Sequence, residues 1–128
     1  MILGVGVDMC RIARMSCLVS DRHFLERVFS DEEIAYALAR PDPARHLAAS
    51  FAAREAFSKA SGVNLARVVF RGVSVRRSDR GPSIKLGCMD LSIRQLVEGH
   101  RFHLSLSHDG EYAVAFVVME EGPNRESP

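Results

Sequence analysis

The chain has 128 residues, 47% hydrophobic and 26% charged, a balance that suits one globular domain able to bury a core without disulfide support. Seventeen basic against 16 acidic side chains leave a formal net charge of +1, which excludes the overall basic field of a nucleic-acid binder, so any anion must be held locally. Cys10, Cys17 and Cys88 make no CxxC pair, arguing for a reducing, cytoplasmic setting and against a structural zinc site.

The apolar run MILGVGV ends at Asp8 after seven residues, too short for a signal peptide or a membrane span. Residues 2 to 7 read as a buried strand whose Gly4 and Gly6 share one bare face, open to close approach by another backbone or to contact with a second chain. Asp8 is expected to end that strand, and a short helix to run from Cys10 to about Leu18. Ser30-Asp31-Glu32-Glu33 has the S-x-x-E form of a capping box and predicts a helix to about Arg40, stopped by Pro41. A longer helix follows from about Ala44 to Ser61, with Gly62 placed to end it. The alternation in VVFRGVSVRR, residues 68 to 77, predicts a strand, joined through Asp79-Arg80-Gly81-Pro82 to a second one over Ser83 to Leu86. Met89, Ile93, Leu96 and Val97 share the face of a helix ending near Gly99. FHLSLSH, Asp109-Gly110 and EYAVAFVVM form the strongest hairpin signal in the chain. Its strand puts Phe102, Leu104 and Leu106 on one face and His103, Ser105 and Ser107 on the other, the polar set lying opposite Tyr112, Val114 and Phe116. The expected domain covers 1–122, followed by a polar, frayed tail at 123–128.

The long helix carries an unusual stripe. Ala48, Ala52, Lys59 and Arg45 all fall within roughly 80° of Glu55 at 100° per residue, so one carboxylate, two cations and small residues share a side. Of the 17 basic residues only Lys59 and Lys85 are lysines, a weak hint that position 59 uses a compact ammonium. The pair Glu55 and Lys59 also reads as an i,i+4 ion pair on a solvated face, contributing roughly 0.3 to 0.5 kcal/mol. Asp8 reads either as the cap of the helix after it or as a second carboxylate facing Glu55, completing an oxygen-ligand site for Mg²⁺. His108 closes its strand at the rim of a turn, where a histidine serves as surface filler or as a phosphate contact.

Taken together, GVDMCRIARM (residues 6 to 15), FAAREAFSKASG (51 to 62) and LSLSHDGEYAVA (104 to 115) closely resemble the holo-[acyl-carrier-protein] synthase family of bacterial 4'-phosphopantetheinyl transferases, in the family's order and at about its spacing. The resemblance implies an α+β fold with a curved antiparallel sheet packed on the long helix, a homotrimer, and active sites shared between subunits. It implies transfer of the phosphopantetheine arm of coenzyme A to a serine of apo acyl carrier protein, with release of adenosine 3',5'-bisphosphate, in support of fatty acid biosynthesis. Carried over by position, Asp8 and Glu55 match the Mg²⁺ ligands, Lys59 a pyrophosphate-contacting lysine and His108 a histidine near the same phosphates. Arg45 falls where relatives place a basic residue toward the 3'-phosphate, Gly62 ends the coenzyme A-binding helix segment, and Arg14 matches an arginine that meets the acidic carrier protein. The candidate bases for the serine proton are Glu55 and a water on the metal, with Asp31 or Glu33 acting through water behind them. The departures are Ser50 in place of an arginine, with Arg45 or Arg54 available to compensate, Arg54 in place of a lysine, Asn64 in a turn that tolerates left-handed backbone, and Arg80-Gly81-Pro82 in the hairpin turn.

Overall fold

A computed structural model describes residues 1–70, 72–86 and 91–122. In chain order the elements are β1 (Ile2–Arg11), α1 (Ile12–Ser16), α2 (Arg22–Val28), α3 (Asp31–Leu38), α4 (Pro43–Ser61), α5 (Leu65–Val69), β2 (Val73–Ser78), β3 (Gly81–Leu86), α6 (Leu91–Gly99), β4 (His100–Asp109) and β5 (Tyr112–Glu121). An antiparallel sheet in the order β1-β5-β4 packs on α4, and β2 and β3 form a separate hairpin.

The 19-residue α4 starts at Pro43, behind an Asp42 carboxylate that accepts from the Arg45 amide, and ends at Gly62 with φ 79°. It is covered on almost every side, with Leu47, Ala48, Ala52, Ala56 and Phe57 at most 1% exposed, so it is a central helix and not an amphipathic surface one. The pleat of β1 turns Gly4, Gly6, Asp8 and Cys10 toward α4 and Leu3, Val5, Val7 and Met9 away from it. A Cβ on Gly4 would overlap the Ala60 carbonyl and one on Gly6 the Ala56 carbonyl, so the bare glycine face is consumed by α4 within the chain and is not a contact surface for a second copy.

Several boundaries differ from expectation. Asp8 does not end β1. It pairs opposite Ala115 in a ladder that continues to Arg11 opposite Tyr112, because β5 offers backbone partners over that whole length, and the first helix shrinks to five residues. The strand expected from residue 68 begins at Val73. Asn64, with φ −58° and so not left-handed, caps α5 by accepting from the Ala66 amide, and Val68 is buried there. The β2–β3 turn narrows to Asp79-Arg80, with Ser78 opposite Gly81 at φ 99°. The β4–β5 loop is Gly110-Glu111 and not Asp109-Gly110; the positive φ of 57° falls on Gly110, and Asp109 pairs with Tyr112, which keeps the expected faces while moving the register. Helix α2, capped by Asp21, lies in a stretch for which no element was expected; its signals are that cap and the buried Leu25 and Val28 three residues apart. The capping box at Ser30 and Glu33 is formed as expected. Met89, Cys88 and the tail at 123–128 lie outside the described residues.

Inside the core, Arg54 and Glu33 are 0% and 1% exposed. The two groups meet through contacts of 2.6 and 2.8 Å, while Arg54 also donates to the carbonyls of Val28 and Ser50, and Glu33 accepts from the amides of Ser30 and Val75. This pair ties α2, α3, α4 and β2 together and satisfies nearly every polar atom it buries.

Candidate active site

The close approach permitted by Gly4 and Gly6 sets the first site. It brings Asp8, on the inward face of the outer strand β1, up to the flank of α4 that carries Glu55 and Lys59. The Lys59 ammonium donates to Asp8 Oδ1 at 2.9 Å and to the Val7 carbonyl at 3.1 Å, so its ion-pair partner is Asp8 and not the expected Glu55 one turn away. Burial, a hydrogen bond with Asp8 and the charge of Asp8 push the Glu55 carboxyl up to about 7, against the opposing pull of Arg14 and Lys59. The hydrogen bond to Asp8 and its charge raise the Lys59 ammonium in turn. Arg14, on α1, holds its guanidinium 5.6 Å from the Phe51 ring centroid.

Two half-buried carboxylates that share a hydrogen bond, one of them reluctant to ionise, form a hard oxygen donor set in which a divalent cation can replace the proton. Among the described residues no group of three or more His, Cys, Asp or Glu side chains converges on a metal position, so water and substrate would complete the coordination of Mg²⁺ here. The Lys59 side chain is 57% exposed, which leaves it free to trade Asp8 for an incoming phosphate.

Arg45 and His108 meet elsewhere. With His46 and Arg77 they line a cleft of about 150 Å³ between α4, β4 and the β2–β3 hairpin. A second hollow of about 220 Å³, bordered by Tyr36, Gly81 and Pro82, shares Arg77 and Leu106 with it. Because β5 separates β1 from β4, this cleft and Asp8 lie on opposite edges of the sheet, roughly 10 Å apart across the strands. Gly62 lies three residues past Lys59, with open space about its Cα.

Arg77, His46 and Tyr36 were not singled out from sequence. The two-residue period that buries Val73 and Val75 also turns Arg77 inward, a signal legible in VSVRR. Two expectations are corrected. Arg54 cannot compensate for a missing phosphate contact, since its guanidinium is fully buried on Glu33, and Glu33 cannot serve as a base, since it is buried and engaged by Arg54, Ser30 and Val75. Ser50 is itself 1% exposed, and its hydroxyl has no hydrogen-bond partner among the described residues.

The family model of the 4'-phosphopantetheinyl transferase superfamily matches residues 4–117. A holo-[acyl-carrier-protein] synthase of Treponema denticola is 38% identical over 122 residues, covering 94% of this chain and 99% of its own length. The crystal structure of a holo-(acyl-carrier-protein) synthase from Bacillus anthracis in complex with CoA (3',5'-ADP) is 33% identical, with a TM-score of 0.75 over 95% of this chain and 99% of that one. The holo-[acyl-carrier-protein] synthase structure from Neisseria meningitidis, 32% identical, reaches a TM-score of 0.79 over 94% of this chain and all of its own. With the match running almost end to end in both directions, the chain belongs to the 4'-phosphopantetheinyl transferase superfamily, in its holo-[acyl-carrier-protein] synthase family.

Proposed function

We propose that the protein transfers the 4'-phosphopantetheine arm of coenzyme A to a serine hydroxyl of apo acyl carrier protein in a Mg²⁺-dependent reaction, releases adenosine 3',5'-bisphosphate, and so supports fatty acid biosynthesis in the cytoplasm. The observation that carries this reading is the convergence of Asp8, Glu55 and Lys59 where β1 crosses α4. In the reaction the serine oxygen forms a bond to the phosphorus that bears the pantetheine arm, and the bond from that phosphorus to the bridging oxygen breaks. Asp8 and Glu55 would hold the Mg²⁺, which when bound would supply Lewis-acid polarisation of the phosphate oxygens. Lys59 leaves Asp8 to neutralise the phosphate oxygens that remain. The serine proton passes to Glu55 or to a water on the metal, the two acceptors this site offers. Arg14, exposed on α1 beside this cluster, is the cation offered to the acidic carrier protein.

A homotrimer is part of this reading. The outward face of β1 leaves Leu3, Val5, Val7 and Met9 46 to 57% exposed, and Phe116 on β5 is 43% exposed. That is a contiguous apolar face of the kind that subunits cover. Closing it against further copies would let the Asp8–Glu55–Lys59 cluster of one chain meet the Arg45–His108 cleft of its neighbour on one coenzyme A.

The test is intact-protein mass spectrometry of apo acyl carrier protein incubated with this protein, coenzyme A and Mg²⁺, with and without EDTA. A metal-dependent gain of one phosphopantetheine group is expected. No gain, with coenzyme A still bound, would reduce the protein to a binding module.

A further inference from the structure

The carboxylate cluster already carries a cation of the chain's own. The Lys59 ammonium lies 2.9 Å from Asp8 Oδ1 and 3.1 Å from the Val7 carbonyl, so it clasps both a side chain and the backbone of β1. Among the described residues no other cation forms an ion pair with Asp8. The fold makes room for this clasp. Gly6 presents no side chain to α4, and a Cβ there would come within 2.9 Å of the Lys59 Cβ, so the bare strand lets the root of the lysine lie against β1. The Lys59 side chain is 57% exposed and that of Asp8 16%, which makes the lysine the wet half of the pair and the carboxylate the sheltered half. Glu55 engages the same carboxylate through a hydrogen bond, so Asp8 is held by two partners at once. A unit positive charge therefore sits on an oxygen that a divalent cation would use. An ammonium and a doubly charged ion about 4 Å apart on one carboxylate repel each other, so one of them must leave.

We propose that Lys59 is a latch on the metal site: before any ligand binds, its ammonium stands in for a divalent cation on Asp8, and an incoming phosphate anion draws it off. This rests on the reading that Asp8 and Glu55 hold Mg²⁺. The exchange makes and breaks no covalent bond, since the ammonium trades one oxygen anion, Asp8 Oδ1, for another on the phosphate. Without the anion, only the fraction of molecules whose Lys59 has swung away is competent to take up the metal, and the apparent affinity falls by that fraction. By linkage, the anion and Mg²⁺ each raise the affinity for the other by the same factor. Lys59 thereby keeps the carboxylates closed to stray divalent cations until a phosphate is in place.

The experiment is calorimetric titration of Mg²⁺ into the wild-type protein, Lys59→Met and Lys85→Met, each with and without coenzyme A, in a buffer alkaline to the Glu55 carboxyl so that its proton does not compete. Lys59→Met keeps the stem and removes the charge, while Lys85→Met removes the same charge beside Glu32, on another part of the fold. Without coenzyme A, Lys59→Met is expected to bind Mg²⁺ about tenfold more tightly than wild type, and Lys85→Met to match wild type. Adding coenzyme A should tighten Mg²⁺ binding in the wild type by a larger factor than in Lys59→Met. Equal affinities in the wild type and Lys59→Met overturn the proposal, as does an equal gain in Lys85→Met, which would reduce the effect to net charge. Weaker binding in Lys59→Met also overturns it, marking the lysine as a brace for the carboxylates, and so does an effect of coenzyme A as large in that variant as in wild type. If Lys59→Met does not fold, Lys59→Gln decides on the same criteria. If none of the proteins binds Mg²⁺, the metal reading and the latch fall together. If the wild type binds Mg²⁺ but not coenzyme A, the transferase reading fails, and the comparison without coenzyme A decides the latch alone.

Discussion

At the scale of single residues, Glu55 carries the sharpest consequences. Replacing it with Gln keeps the shape and removes the charge, so Glu55→Gln should leave the fold and melting temperature essentially intact while lowering transfer at saturating Mg²⁺ by a hundredfold or more. Substantial residual turnover by mass spectrometry would remove Glu55 from the metal site. Its raised carboxyl, at about 7, also sets a pH dependence. Below that value a cation must expel a proton to bind, so Mg²⁺ affinity should weaken by up to about tenfold per pH unit between pH 7 and 5 and level off above 7. Calorimetric titrations in buffers of different ionisation enthalpy would show the released proton; a flat profile across that range would contradict the shared-proton description.

At the scale of elements, the approach of β1 to α4 and the ion pair behind α3 can each be broken by one change. A methyl at Gly6 would meet the Ala56 carbonyl, which is backbone and cannot swing aside. Gly6→Ala should therefore cost roughly 1 to 3 kcal/mol and weaken Mg²⁺ binding as Asp8 is carried away from Glu55; a melting temperature equal to wild type would show that the two elements have slack. Glu33→Gln strands the buried Arg54 charge and should cost about 3 to 5 kcal/mol in denaturant unfolding. Burial alone would raise the Glu33 carboxyl, but Arg54 and the amides of Ser30 and Val75 outweigh it and hold the group below its ordinary value of 4.5. A carboxyl depressed by folding contributes stability that is present above its unfolded value and lost as pH falls through the folded one. Thermal melts of the wild-type protein should accordingly fall off steeply below about pH 4.5.

At the scale of the whole molecule, the question is what covers the outer face of the sheet. Val5, 57% exposed, lies opposite Val118 on that face. On the proposed homotrimer, wild-type protein should scatter light as a trimer and Val5→Arg as a monomer with transfer lowered at least tenfold, while the isolated chain keeps its helix content. A monomeric variant with full activity would show that one chain completes the site alone.

Much of this architecture was legible in the primary structure. The long helix, expected from about Ala44 to Ser61 and found at Pro43–Ser61, was visible from its glycine stop, the Ser30 cap from its spacing, and the two faces of the last hairpin from strict alternation. These signals are local, and near neighbours in the chain settle them. The boundaries that moved were set by partners distant in sequence: β1 runs past Asp8 because β5 continues beside it, and Val68 joins a helix because the core receives it there. The same division holds for the site. Asp8, Glu55 and Lys59 were identifiable from motif spacing, but Lys59 bonds Asp8 and not the carboxylate one turn away because two glycines let the strand come close. The sequence by itself determined which groups are available, since residue type and local periodicity carry that information. Tertiary structure alone decided which charges meet, with Arg54 withdrawn onto Glu33 in the core and Arg77 brought beside Arg45, because the free energy of a charge depends on its burial and on partners that only the packed chain supplies.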